Sequence, residues 1–209
     1  MTEITELFKK KTNDVAQGLL GQLLIHETPL GPIGGLIVDT ESYLGPTDRA
    51  SHSYGGKRTP SLRAMYQKPG TIYVYQMHTH LLLNLVTEPC GQPEGVMIRA
   101  IEPMIGLPLM EELRHQQGIH LTNGPGKLTQ ALHLTRDIYG TSIFTGPLKV
   151  LATEYQAKEI VRAPRIGIPN KGIWTDLPLR YYVKGNPFTT KIKKNEVDQK
   201  DHGWKGSRV

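Results

Sequence analysis

Strand-type and helix-type signals do not alternate along this chain, and that order narrows its fold more than any other feature. Strand-forming runs gather between residues 35 and 101, helical patterns follow at 107–117 and from 123, and two more strand-type runs come only near the end. A doubly wound parallel sheet needs a helix after nearly every strand, so the pattern predicts a mixed α/β domain of the α+β kind. At 209 residues the chain can close its own core. With 38% apolar and 21% charged residues it is neither a disordered chain nor a coiled coil. Its single cysteine, Cys90, excludes an intramolecular disulfide framework and a four-thiolate zinc site. The longest apolar stretch, Leu81 to Val86 interrupted by Asn84, is far short of a membrane span. The opening MTEITELFKKK does not read as a secretion signal, so residence inside the cell is expected.

The local patterns predict particular elements. A helix is expected after Thr12-Asn13-Asp14, with Val15, Leu19, Leu20 and Leu23 on one face. Gly35 to Leu44 reads as a strand that puts Asp39, Glu41 and Tyr43 on one side. Between Gly45 and Gly70, Gly-Pro, Gly-Gly, Thr-Pro and Pro-Gly pairs predict a loop with a short helix at Ser61 to Gln67. Thr71 to Val86 reads as two strands joined at His78-Thr79-His80, and Gly95 to Ile101 as another in which Arg99 requires a partner. Helices are expected at Leu107 to Gln117 and after Asn123, with Leu128, Ala131 and Leu132 facing inward, and late strands at Ala163 to Ile168 and Leu179 to Lys184. Residues 1–193 are expected to form one domain, and the polar segment 194–209 a disordered tail.

The formal net charge is +6, and its distribution is informative. From Arg49 to Thr87 there are five basic residues and no acid, interleaved with Tyr54, Tyr66, Tyr73, Tyr75, His52, His78 and His80. Positive charge alternating with flat rings suits a nucleic-acid surface, although a solvated loop beside a core strand has the same composition. Glu41 and Tyr43, two residues apart on a strand, fit a base-binding pocket or an exposed carboxylate on a half-buried strand. His78 and His80, with His52, raise a zinc reading, but no cysteine partner or HExxH spacing accompanies them. Asn123-Gly-Pro-Gly-Lys127 lacks the first glycine and the Ser or Thr of a nucleotide-triphosphate loop; Lys127 there serves a DNA phosphate or simply caps a helix.

Several blocks in order carry a family resemblance. Val38 to Ser53 (VDTESYLGPTDRASHS), Lys68 to Tyr75 (KPGTIYVY), Ile98 to Pro103 (IRAIEP), Asn123 to Leu128 (NGPGKL), Pro164 to Ile168 (PRIGI) and Pro178 to Gly185 (PLRYYVKG) resemble the alkyladenine (3-methyladenine) DNA glycosylase family, over residues 12 to 190. The resemblance implies a single compact domain with a curved, mainly antiparallel sheet and flanking helices. It implies a hydrolase that flips alkylated purines out of duplex DNA, leaves an abasic site and so starts base excision repair. It assigns Glu41 as general base, with Arg99 and the backbone carbonyl of Ile166 holding the catalytic water. Tyr43, His52 and Tyr75 match the rings around the flipped base, and Asn84 a pocket-wall amide that excludes normal guanine. On the DNA side, Lys57, Thr59 and Lys127 are expected contacts. The residue that fills the space left by the flipped nucleotide is either Met77 or His78, because the distance from Tyr75 to Asn84 is one residue shorter than usual. No cofactor and no metal are expected. The expected partner is double-stranded DNA bearing alkylated purines, bound by a monomer without a membrane, in a bacterial cytoplasm at the nucleoid or in a eukaryotic nucleus. No lysine stands beside Glu41 to form a Schiff base, so strand cleavage is not expected. Two other classes use some of the same residues: a noncatalytic nucleic-acid binder, for which Glu41 facing phosphates is a cost, and a metal-dependent hydrolase using the histidines.

Overall fold

The computed structural model of the protein describes residues 3–206. Two short helices, α1 (Glu3–Leu7) and α2 (Thr12–Gly18), lead into a hairpin of β1 (Leu23–Thr28) and β2 (Gly31–Tyr43). After the 45–70 loop come β3 (Ile72–Met77), β4 (His80–Val86) and β5 (Gly95–Ile105), then α3 (Leu107–Arg114) and α4 (Pro125–Ala131). The short strands β6 (Leu148–Leu151), β7 (Ile160–Ala163) and β8 (Arg180–Val183) complete one sheet in which the strand pairs are antiparallel.

β2 organises that sheet. Its β-branched residues Ile33, Ile37, Val38 and Thr40 favour an extended chain, and the strand is buried from Ile33 to Ser42. One edge pairs with β5 from Gly34 to Tyr43. The other pairs first with β1, through Gly31 to Leu36, and then with β8, through Asp39 to Glu41. The sheet therefore forks along a single strand and curls. Gly35 permits the tight approach to β5, since a Cβ there would lie 2.1 Å from the Glu102 carbonyl oxygen. The register with β5 shifts beside Gly34 and again around Asp39, the irregularity of a bulge that bends a strand.

The helices cover the sheet. Val15, Ala16 and Leu19 are buried, and Thr40 donates through Oγ1 to the Ala16 carbonyl of α2. Leu128, Ala131 and Leu132 are buried as their spacing predicts, and Thr129 of α4 donates to the Leu81 carbonyl at the start of β4. A smaller cluster of Leu62, Ala64, Met65, Tyr73 and Val86 fastens the 45–70 loop to β3 and β4. The result is a single compact mixed α/β domain with a curled antiparallel sheet, as the resemblance implied.

Some boundaries differ from the sequence reading. Leu23 begins β1 rather than extending the helical face, because Gly21 adopts φ 89° and turns the chain. The Ser61 to Gln67 helix is a 3₁₀ segment at Pro60–Tyr66, and α3 ends at Arg114, before the left-handed His115. The strand expected at Ala163 to Ile168 lies earlier, at Ile160–Ala163, which leaves residues 164–168 beside the site.

The largest correction concerns the segment beyond Lys193, which folds back onto the domain as far as it is described. Trp204 is 1% exposed, and its indole N–H donates to Glu102 Oε2 at 2.8 Å. His202 Nδ1 lies 2.7 Å from Glu102 Oε1, and Asn186 donates to Oε2. Asp198 accepts N–H bonds from Lys200 and Asp201 and an ion pair from Lys158, which hold its carboxyl well below the usual range. One tryptophan outweighs the polar composition around it, because its anchor lies about a hundred residues earlier. Trp204→Ala is expected to cost about 3 to 5 kcal/mol of stability, measured by urea unfolding; a midpoint equal to the parent's would mean that the segment is not docked.

Candidate active site

The strand period places Asp39, Glu41 and Tyr43 on one side of β2, and the neighbouring strands bring up two arginines. Arg99 on β5 meets Glu41, Nη1 to Oε1, at 3.0 Å, and its Nε is 3.9 Å from Asp39 Oδ2. Arg180 on β8 binds Asp39 through Nε and Nη2 at 2.9 and 2.8 Å and donates to the Thr190 carbonyl. Two carboxylates and two guanidinium groups are thus buried together with balanced charge. Arg99 has the partner its apolar run demanded.

Glu41 has two further donors. The Ile166 N–H donates to Oε1 at 2.8 Å, and the Tyr43 hydroxyl donates to Oε2 at 2.9 Å. Burial nevertheless dominates and raises the carboxyl above its ordinary pKa of 4.5; Asp39 adds to the rise, while Arg99, the Ile166 N–H and Tyr43 oppose it. Burial, then the charge of Glu41, pushes the Tyr43 phenol well up, so that it stays a neutral donor. The Ile166 N–H thus meets Glu41 directly, a contact separate from the water contact that the resemblance gives to its carbonyl.

Tyr43 also lines a cavity of about 200 Å³ together with His52, Tyr75, Asn84, Met77 and Ile168. His52 and Tyr75 meet edge to face with centroids 4.3 Å apart and form one stretch of wall. His52 Nδ1 lies 2.9 Å from the Tyr73 hydroxyl, and burial and the Lys57 charge hold the imidazole below its ordinary pKa, in its neutral form. Tyr73 stacks beside Tyr75 at 6.0 Å. Asn84, opposite Tyr73 across β3 and β4, donates through its amide to the Tyr73 and Leu82 carbonyls.

The cavity shares Ser51, His52, Tyr73, Tyr75 and Met77 with a wider cleft whose walls include Arg49, Lys57, Thr59 and Arg136. Met77 follows Tyr73 and Tyr75 on one face of β3 and is 48% exposed over both spaces. His78 sits at the tip of the hairpin in a left-handed conformation and lines neither. Lys127 lies away from the cleft, where its Nζ donates to Asn123 Oδ1; the adjoining Gly126 packs close to the His80 ring. The three histidines of the zinc reading do not converge: His52 pairs with Tyr73, His80 with Gln130, and no set of three or more metal-ligating side chains occurs among the described residues.

Sequence reading missed Tyr73 as a pocket residue, Asp39 and Arg180 as the balancing pair, and the cleft arginine Arg136, whereas Arg49 stands in the cationic stretch it singled out. Asp39 was legible from its spacing to Glu41. The arginines required long-range pairings that no local pattern carries.

An aromatic cavity beneath a cationic cleft can take a flat ring while the cleft takes a phosphate backbone; Glu41, fully buried, does not line the cavity and meets it through Tyr43. A family model described as methylpurine-DNA glycosylase matches residues 6–187. A curated protein of Enterococcus faecalis named "Putative 3-methyladenine DNA glycosylase" is 56% identical over 208 residues, covering 98% of this chain and 91% of its own. Proteins of the same name from Staphylococcus saprophyticus and Staphylococcus haemolyticus are each 47% identical, with 96% of this chain and 99% and 100% of their own covered. The chain belongs to the methylpurine-DNA glycosylase family, whose enzymes are DNA glycosylases of base excision repair.

Because the raised pKa of Glu41 means that its ionised form is a cost to the fold at neutral pH, that cost is relieved as pH falls through the folded-state value. Glu41→Gln lacks this titration and takes the counter-charge from Arg99, so its melting temperature is expected to fall relative to the parent's as pH drops from 7 toward 4. A calorimetric series over this range checks it; a difference that does not change with pH would show that the Glu41 carboxyl is not raised.

Proposed function

We propose that the protein extrudes alkylated purines, 3-methyladenine among them, from duplex DNA and hydrolyses their N-glycosidic bond. The observation that carries this reading is the buried, pKa-raised Glu41 held between Arg99, Ile166 and the pocket residue Tyr43. A carboxylate made more basic by burial suits removal of a proton from water. The water oxygen bonds to the sugar C1′, the C1′–N bond breaks with its electron pair leaving on the base, and the water's proton passes to Glu41. Free base and an abasic site result. A purine methylated at N3 or N7 carries positive charge, so it departs as a neutral molecule and needs little further activation.

The pocket supports the same reading. Extrusion costs a few kcal/mol, least for a damaged and weakly paired base, and stacking worth about 1 to 3 kcal/mol per base offsets it. The rings of Tyr43 and Tyr75 favour a cationic purine, and a neutral His52 does not repel it. Arg49, Lys57 and Arg136 in the cleft suit the phosphate backbone, with Thr59 beside them. No lysine lines the cavity, which supports a glycosylase without lyase activity.

Glu41→Gln is expected to bind duplex DNA carrying an abasic-site analogue like the parent but to lose excision by at least about 10²-fold, read as release of free base from methylated duplex in a single turnover. Excision near the parent rate would remove Glu41 from the mechanism.

Met77 is the better candidate for the residue that fills the vacated stack, since it shares a strand face with Tyr73 and Tyr75 and projects, half-exposed, over the cavity mouth. His78 belongs to the turn. Met77→Ala is expected to weaken binding to a mismatched or abasic duplex while leaving thermal stability nearly unchanged, and His78→Ala to do neither. A binding loss confined to His78→Ala would reverse the assignment.

A further inference from the structure

We infer that the buried Asp48–Arg165 pair positions the catalytic carboxylate, by holding from behind both the Tyr43 ring and the Ile166 N–H that grip the two oxygens of Glu41. The inference deepens the excision reading and rests on it for the kinetic half of its test.

Both side chains are wholly buried and outside the cavity wall. Arg165 donates from Nη1 to Asp48 Oδ2 at 2.6 Å and to the Ser42 carbonyl at 3.0 Å. From Nη2 it donates to Asp48 Oδ1 at 3.0 Å and to the Trp174 carbonyl at 3.3 Å. Asp48 in turn accepts the N–H groups of Leu44 and Ala50. One guanidinium group therefore ties together the end of β2, the start of the 45–70 loop and the turn near residue 174.

Both remaining ligands of Glu41 adjoin that tie. The guanidinium carbon lies 4.7 Å from the centre of the Tyr43 ring, whose hydroxyl donates to Oε2. One peptide onward from Arg165, the Ile166 N–H donates to Oε1. Arg165 itself bonds neither Glu41 nor the cavity, so it is a positioning residue rather than a catalytic one. A buried ion pair is a poor source of stability compared with apolar side chains of the same volume, whereas its fork geometry restricts direction closely. That geometry is spent here on two atoms that orient the same carboxylate.

The test uses Arg165→Lys, which keeps the positive charge for Asp48 but loses the planar fork and the stacking on Tyr43. Two quantities are read: the titration midpoint of the Glu41 carboxyl, by ¹³C NMR, and single-turnover excision from a methylated duplex. The donors being loosened are ones that lower the Glu41 pKa, so the midpoint is expected to move upward. Excision is expected to fall by roughly tenfold or more with binding to an abasic-analogue duplex unchanged. Should Arg165→Lys fail to fold, Asp48→Asn is used instead; its amide oxygen can still accept from Leu44 or Ala50, and smaller changes in the same directions are expected. An unmoved midpoint overturns the inference, as does an unchanged excision rate in a folded variant of an active parent. A parent that releases no base refutes the excision reading, while the NMR midpoint still decides whether the pair positions Glu41.

Discussion

The buried square of Asp39, Glu41, Arg99 and Arg180 is the constraint on which the remaining structure depends. Its members come from three adjacent strands, β5, β2 and β8, and each is nearly or wholly removed from water. Charges in that position are tolerated only when every one is matched and hydrogen-bonded. The Asp39–Arg180 half of that match forms where β8 takes over from β1 along the edge of β2, so the charges and the fork of the sheet coincide. Residues 164–168 follow directly on β7, the partner of β8, and so come to lie beside Glu41. Function and topology thus share one electrostatic condition.

Charge is also divided by depth. The cleft mouth bears arginine and lysine without nearby carboxylates in its lining, while the cavity beneath is lined by rings, small residues, methionines and a neutral imidazole. Deeper still, guanidinium groups reappear, each opposite a carboxylate. Among the described residues the cavity lining offers no lysine or arginine to draw a phosphate inward, and its ring faces suit a flat, electron-poor group instead.

Much of this was legible in the sequence because it is local. The period of two in residues 35–44 placed Glu41 beside Tyr43, the acid-free stretch from Arg49 to Thr87 marked the cleft, and Arg99 in an apolar run announced a buried partner. The motif blocks suggested the roles proposed for these residues. What was not legible depends on distance along the chain: Asp48 finds Arg165, Asp39 finds Arg180 and Glu102 finds Trp204, each across about a hundred residues or more. A segment rich in Lys, Asp and Gln reads as a tail when its one tryptophan cannot be connected to a buried carboxylate in the middle of the sheet.

That last pairing bears on how the enzyme is made. Glu102 lies three positions from Arg99 on the same strand, and its carboxylate is satisfied by Asn186, His202 and Trp204. While a ribosome is still adding those residues, three partners of this carboxylate on β5 do not yet exist. The strand bearing Arg99 gains those contacts only after nearly all of the chain has emerged. Pairings that join positions about a hundred residues apart slow folding, so the C-terminal segment closes over this strand as a late step of making the protein.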